Sequence, residues 1–165
     1  MAQITLGGNA INTSGNIPSS GGAAPLFLLT AEDMSSISLE NFAGKKKILN
    51  IFPSVDTGVC ATSVRKFNEK AAALSDIVVL CISRDLPFAQ KRFCGAEGIS
   101  NVTMLSDYKN GSFGKSYGVE ITDGKFEGLH ARAIVVLDEN NQVLHSELVT
   151  EIAQEPNYDA AIAVL

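Results

Sequence analysis

Apolar residues in this chain fall into short blocks whose period changes from one block to the next. Ile48, Leu49, Ile51 and Phe52 surround a single Asn50, lysines precede them and Pro53 closes the run, which is the pattern of a strand ended by proline. A helix follows, with Asp56 or Thr57 as its cap. Val64, Phe67, Ala71 and Leu74 recur there at offsets 0, 3, 7 and 10 and make one apolar stripe, while Arg65, Lys66, Glu69 and Lys70 fall mostly off it. Residues 77–82 are continuously apolar over a strand's length, as expected where helices cover both faces of a sheet. Strand, helix and strand make one βαβ unit.

The pattern continues with a second helix, capped by Asp85 and running through Pro87, Phe88, Phe93 and Cys94, which Gly95 and Gly98 weaken or end. Residues 101–105 read as a further strand. Residues 131–137 read as another, being almost wholly apolar and rich in β-branched side chains. A turn at 138–141 leads into 142–148 and completes a hairpin, and an Ala-rich helix occupies 156–165. At the other end, Gly7-Gly8-Asn9 separates two short apolar pieces and predicts an N-terminal hairpin, followed by a loose Gly/Ser/Pro-rich stretch at 13–25. A parallel βαβ unit followed by a hairpin and a helix is the order of a thioredoxin-like α/β sandwich. No repeat, low-complexity tract or charged linker divides the chain, so one domain over 1–165 is expected, with 1–17 as a hairpin extension.

Composition narrows the function classes. A chain of 165 residues with 45% hydrophobic content carries enough apolar surface for a substantial core. A net charge of -5 disfavours phosphate backbones, so no nucleic-acid partner is expected. The one basic run, Lys45-Lys46-Lys47, reads as a solvated lead-in to a strand. No basic segment with a long apolar run opens the chain, and no stretch approaches the ~20 apolar residues of a membrane span, so a cytoplasmic protein without a membrane partner is expected. Three cysteines, at 60, 81 and 94, make no dense disulfide framework and fit a reducing compartment.

Those cysteines are the candidate chemistry. Cys60 falls in the first turn of a helix that follows a strand end, where unpaired N–H groups and the positive end of the helix dipole favour a thiolate. Position alone leaves a second reading open, because Cys60 lies four residues before Val64, on the inward stripe, where a cysteine serves as a small apolar residue. Cys81 sits inside an apolar strand and reads as inert core. Cys94, beside Lys91 and Arg92 and before a glycine, reads as accessible in a weak helix end. No Cys-x-x-Cys is present, and His130 and His145 stand at no ligand spacing to a cysteine, so neither a dithiol oxidoreductase nor a metal site is expected. A Cys-His hydrolase with His130 as base stays formally open, without visible residues to orient the histidine. The paired glycines at 7–8 and 21–22 match no nucleotide-binding motif and read as turn residues.

Phe52-Pro53-Ser54-Val55-Asp56-Thr57-Gly58-Val59-Cys60 resembles the Pro-x-x-x-Thr-x-x-Cys motif of peroxiredoxins. Its continuation through Asn68, with Asp85-Leu86-Pro87-Phe88-Ala89-Gln90, Arg92-Phe93-Cys94-Gly95, Ala131-Arg132-Ala133 and residues 137–140, is similar to the bacterial thiol peroxidase branch, the atypical two-cysteine peroxiredoxins. The resemblance covers nearly the whole chain and implies a thioredoxin-like (peroxiredoxin) three-layer α/β sandwich with an N-terminal β-hairpin. It further implies that Cys60 is the peroxidatic nucleophile and Cys94 the resolving thiol, the two closing an intramolecular disulfide, with Cys81 a bystander. Pro53 would shield the thiolate, the Thr57 hydroxyl would hydrogen-bond among sulfur and peroxide oxygens, and Arg132 would stabilise thiolate and developing oxyanion. Arg132, flanked by Ala131 and Ala133 in an apolar run, needs a buried partner, and the Cys60 thiolate is a natural one. The implied substrates are hydrogen peroxide and alkyl or lipid hydroperoxides, the implied reductant is thioredoxin, the implied assembly is a homodimer, and no cofactor is implied. Two other functions compete: a redox-switched binding or holdase protein, and a thioredoxin-like module without chemistry. A plain switch needs only two cysteines and has no use for Pro53, Thr57 and Arg132.

Overall fold

The computed structural model describes residues 1–165. In chain order its elements are β1 (Gln3–Leu6), β2 (Asn9–Asn12), β3 (Leu28–Ala31), β4 (Ser36–Ser38), a 3₁₀ turn (Leu39–Phe42), β5 (Lys46–Ile51), α1 (Gly58–Ala71), β6 (Ile77–Ser83), α2 (Pro87–Glu97), β7 (Thr103–Ser106), α3 (Ser112–Ser116), β8 (Ala133–Leu137), β9 (Val143–Leu148) and α4 (Tyr158–Ala163). β1 and β2 form the expected N-terminal hairpin, and the other strands build one seven-stranded sheet in the order β4-β3-β7-β6-β5-β8-β9. Its β5–β6 and β6–β7 pairs are parallel and the rest antiparallel.

Alternation along the central strands separates two cores. Leu49, Ile51, Leu80, Ile82, Leu105, Val135 and Leu137 point to the face covered by the hairpin, α3 and the segment around Val119 and Ile121. Ile48, Phe52, Val79, Cys81, Met104, Ile134 and Val136 point to the other face, against Val64 and Phe67 of α1, Phe93 and Cys94 of α2, and Tyr158 and Ala161 of α4. This is the expected three-layer α/β sandwich of the thioredoxin-like type. Each fully buried side chain of this size contributes about 1.5–3 kcal/mol, so the strands at the centre of the sheet, covered on both faces, anchor the fold. No helix is long and apolar enough to cross a membrane.

Several local readings are corrected. Asp85 does not cap α2; Leu86 is the N-cap residue and Pro87 opens the helix, where its missing N–H costs nothing. Gly95 lies inside α2, and Gly98 ends it in the left-handed conformation at φ 66°, with Ile99 N–H returning to the Cys94 carbonyl at 3.0 Å. α1 stops at Ala71, so Leu74 falls beyond the helical stripe. Lys46 and Lys47 belong to β5 rather than to a solvated lead-in; Lys47 is buried, and its Nζ donates to Asn141 Oδ1 at 2.6 Å. β3, β4, the 3₁₀ turn and α3 have no counterpart in the sequence reading.

Candidate active site

β5 ends at Ile51, the chain turns through Pro53 and Ser54, and Thr57 opens α1 in an extended conformation. The first intrahelical bond runs from Ala61 N–H to the Thr57 carbonyl at 3.0 Å, so Gly58, Val59 and Cys60 lie in the turn whose N–H groups have no helical acceptor. Cys60 is fully buried there, as part of the α1-side core. Ser63 Oγ donates to the Cys60 carbonyl at 2.8 Å and ties down that first turn.

Strand alternation supplies the partner. Ala131 and Ala133 face the hairpin-side core, so Arg132 between them is turned toward α1. Its Nη2 lies 3.3 Å from Cys60 Sγ, and its Nε donates to the Ile152 carbonyl at 2.8 Å. Arg132 is 2% exposed, and its Nη1 is buried without a protein partner. A buried guanidinium therefore holds one free donor beside a sulfur that sits in the positive end of a helix.

Pro53 is buried, and Thr57 is partly buried. Thr57 Oγ1 donates to the Ser54 carbonyl at 3.1 Å instead of capping α1. Its proton is thereby committed and its lone pairs remain open to a donor. Ser54 is held in turn by Asp85, whose carboxylate accepts from Ser54 Oγ at 2.7 Å and from Val55 N–H at 2.9 Å. In the sequence Ser54 stands out only as part of the motif and Asp85 only as a helix cap or motif residue; nothing in it signals the Ile152 carbonyl.

A cavity of about 160 Å³ meets this cluster and is lined by Thr57 and Arg132 together with apolar Leu6, Val59, Phe126 and Ile152. Leu6 arrives from the hairpin, which lies along 150–152: Thr5 N–H donates to the Thr150 carbonyl at 2.7 Å, and Ile152 N–H to the Thr5 carbonyl at 3.0 Å.

Cys94 sits elsewhere, in the last turns of α2, 9% exposed, on a separate cavity of about 690 Å³ that Glu32, Asp33 and Lys91 also line. All three cysteines are free, so no disulfide joins Cys60 and Cys94. Burial, with a smaller contribution from the Glu32 carboxylate, pushes the Cys94 thiol up to about 12. Burial does the same to Cys81, which stays at about 12 although Asn50 Nδ2 lies 3.6 Å from its sulfur. His130 lies on the other face of the sheet from Cys60: its ring packs against Phe113 of the hairpin-side core, and its Nε2 pairs with Asp107 Oδ2 at 2.9 Å.

The redoxin family model matches residues 19–162. The thiol peroxidases of Mycobacterium tuberculosis and Mycobacterium bovis are each 62% identical over 165 residues, covering 100% of this chain and 99% of theirs. The chain belongs to the redoxin family, among its thiol peroxidases. A crystal structure of a peroxiredoxin-like protein from Aquifex aeolicus superposes on this redoxin with a TM-score of 0.92 at 36% identity, covering 99% of this chain and 96% of that one. The hairpin and the sheet order thus belong to a thioredoxin-like peroxiredoxin fold.

Proposed function

We propose that Cys60 is the peroxidatic nucleophile and Cys94 the resolving thiol, with Thr57, Arg132 and Pro53 completing the peroxide site. The reaction class, thiol-dependent reduction of peroxides, follows from membership of the thiol peroxidases. The single observation that carries the residue assignment is the Arg132 guanidinium lying 3.3 Å from Cys60 Sγ at the head of α1. That contact supplies positive charge to a thiolate and leaves a second donor, Nη1, for oxygen.

The chemistry is a displacement at the O–O bond. Thr57 accepts a hydrogen bond from the peroxide O–H, and the sulfur attacks that oxygen along the O–O axis. Cys60 becomes a sulfenic acid, and the other oxygen leaves as alkoxide or hydroxide, which Arg132 stabilises until water protonates it. Buried Pro53 keeps bulk water from the sulfur. The Cys94 thiol then condenses with the sulfenic acid, releasing water and forming the Cys60–Cys94 disulfide. A dithiol reductant, thioredoxin in this proposal, restores both thiols by exchange. The apolar walls Leu6, Val59, Phe126 and Ile152 suit the organic part of an alkyl or lipid hydroperoxide, with hydrogen peroxide reaching the same sulfur. The proposal places the enzyme in the cytoplasm as a homodimer, with residues 1–165 acting as one catalytic domain and no added cofactor.

The experiment that tests this reading is peroxide consumption coupled to thioredoxin and its reductase, in wild type and in Cys60→Ser, Cys81→Ser and Cys94→Ser. Loss of all turnover at 60, loss of thioredoxin-linked recycling at 94 and near-normal activity at 81 are expected. Full activity in Cys60→Ser would overturn the assignment.

A further inference from the structure

The hydrogen bonds of Asp85 go to the Cys60 loop and to the ends of two strands rather than to its own helix. At the N-terminus of α2, Ala89 N–H and Gln90 N–H both return to the Leu86 carbonyl, so the Asp85 carboxylate does no capping there. It accepts instead from Ser54 Oγ at 2.7 Å, Val55 N–H at 2.9 Å and Ser83 Oγ at 2.6 Å, while the Asp85 carbonyl accepts from Ser106 Oγ. Three donors on two oxygens fill most of a carboxylate's hydrogen-bonding capacity, and two of them come from the loop that precedes Cys60. Ser54 passes the constraint on: its Oγ accepts from Asp56 N–H at 3.1 Å, and its carbonyl accepts both Thr57 N–H at 3.2 Å and Thr57 Oγ1 at 3.1 Å.

We propose that Asp85 is a positioning residue for peroxide reduction: it fixes Ser54 so that the Ser54 carbonyl takes the Thr57 hydroxyl proton, and Thr57 meets the peroxide only as an acceptor. The proposal rests on the role given to Thr57 above. A carbonyl cannot donate, so as long as Ser54 holds its place the direction of the Thr57 hydroxyl is settled. Were Ser54 to turn away, the hydroxyl would be free to rotate and to donate to the Cys60 sulfur or to either peroxide oxygen, and the population aligned for in-line attack would fall. The cost appears in orientation rather than in the nucleophilicity of the sulfur, because Arg132 reaches Cys60 from the strand side and the first turn of α1 that carries Cys60 makes no hydrogen bond with Asp85. Ser83 and Ser106 anchor the carboxylate's residue to the ends of β6 and β7, the rigid centre of the sheet, so the loop inherits its geometry from the core.

The test separates orientation from nucleophilicity. Formation of the Cys60 sulfenic acid is followed by quenched flow with dimedone trapping, and alkylation of Cys60 by iodoacetamide, a reagent with no peroxide O–H to orient, is measured in parallel. The proteins compared are wild type, Asp85→Asn, Ser54→Ala, the double variant and Thr57→Val, all on a Cys81→Ser, Cys94→Ser background. Asp85→Asn turns an N–H toward donors and is expected to slow the peroxide step roughly ten- to a hundredfold, with alkylation within about twofold of the parent. Ser54→Ala should give the same loss, and the double variant no further loss, because the two act in one chain of bonds. Unchanged peroxide rates in Asp85→Asn and Ser54→Ala beside a slow Thr57→Val would overturn the role of Asp85 alone. A full rate in Thr57→Val would overturn the reading of Thr57 and the proposal with it. Parallel loss of alkylation and peroxide rates in Ser54→Ala would show general damage to the site and also overturn it.

Discussion

Arg132 touches Cys60 Sγ through Nη2 at 3.3 Å while its Nε is held by the Ile152 carbonyl at 2.8 Å. The two bonds use two nitrogens of one planar group, so the carbonyl aims the guanidinium and the sulfur receives it. Lysine has one compact charge and no fork and cannot make both contacts in this geometry. Arg132→Lys is therefore expected to lower the second-order rate constant for peroxide by about 10²-fold, the loss typical of removing one preorganised donor from a developing oxyanion. Arg132→Met, which removes the charge as well, should lose more. Stopped-flow kinetics on both variants checks this, and a lysine variant at wild-type rate would mean that charge without orientation suffices.

The Cys94 thiol, pushed up to about 12 by burial and then by the Glu32 charge, stays protonated in the folded protein at neutral pH. In a Cys60→Ser, Cys81→Ser background its alkylation by iodoacetamide is expected to remain slow up to about pH 10, whereas the urea-unfolded chain should show an ordinary thiol profile centred near pH 8.5. The sign of the linked stability follows. A pKa raised on folding contributes stability that is complete below the unfolded value and lost as pH rises from about 8.5 toward 12. The difference in melting temperature between wild type and Cys94→Ala should accordingly change above pH 9 and stay flat between pH 6 and 8.

How much of this was legible in the sequence depended on how local each feature is. The strand before Pro53, the helix with Cys60 in its first turn, the parallel partner at 77–82 and the hairpin after Ala133 all announce themselves through runs long enough to show a period. The alanines on either side of Arg132 also show that its charge needs a buried partner, and the family resemblance points to Cys60 as that partner. β3, β4 and α3 are three to five residues long, shorter than the window in which either period can be counted, so they passed unread. Asp85 reads as a cap because a carboxylate just before a proline-led helix looks like one, and only the return of the chain beside Ser54 gives it other donors. The cavity walls Leu6, Phe126 and Ile152 come from three distant stretches that no spacing relates.

Glu151 fastens the hairpin to the wall of that cavity. Its carboxylate accepts from Thr5 Oγ1 at 2.6 Å, Gly7 N–H at 3.0 Å, Gly8 N–H at 3.1 Å and Ala153 N–H at 3.2 Å, and these bonds, the Thr5 hydroxyl first, hold it down to about 2. A depressed carboxylate contributes stability that is present above its unfolded value of about 4.3 and is lost as pH falls toward 2. Amide exchange at Gly7, Gly8 and Ala153 is expected to accelerate across that window beyond the intrinsic pH effect. In Glu151→Gln the extra acceleration should be gone and the three amides already poorly protected at pH 7. The same variant should raise KM for a bulky organic hydroperoxide more than for hydrogen peroxide, since Leu6 loses its support and the smaller substrate needs no apolar wall.

The polar ties between the helix carrying Cys94 and the Cys60 side are all made by exposed groups, while Phe93 and Cys94 pack into the shared core. Arg65 pairs with Glu97 at 2.9 Å, Arg92 with Asp56 at 3.2 Å, and Asn68 Oδ1 accepts from Ser100 and Asn101 N–H just past the helix end. Exposed ion pairs of this kind contribute about 0–1 kcal/mol each. Gly95 inside the helix weakens it by about 1 kcal/mol more relative to alanine. A disulfide requires Cα atoms within about 7 Å, so closure between two buried thiols on separate helices is expected to need one helix to give way. α1 is held by Arg132 and Ser63 at its first turn, so α2 is the element expected to unwind. Hydrogen exchange on peroxide-treated protein should show protection falling at least about tenfold over 91–97 while 63–70 in α1 changes little. Peroxide-treated Cys60→Ser should show no change, because no sulfenic acid forms to draw Cys94 in. Loss of protection in α1 with α2 intact would reverse the assignment of the moving helix.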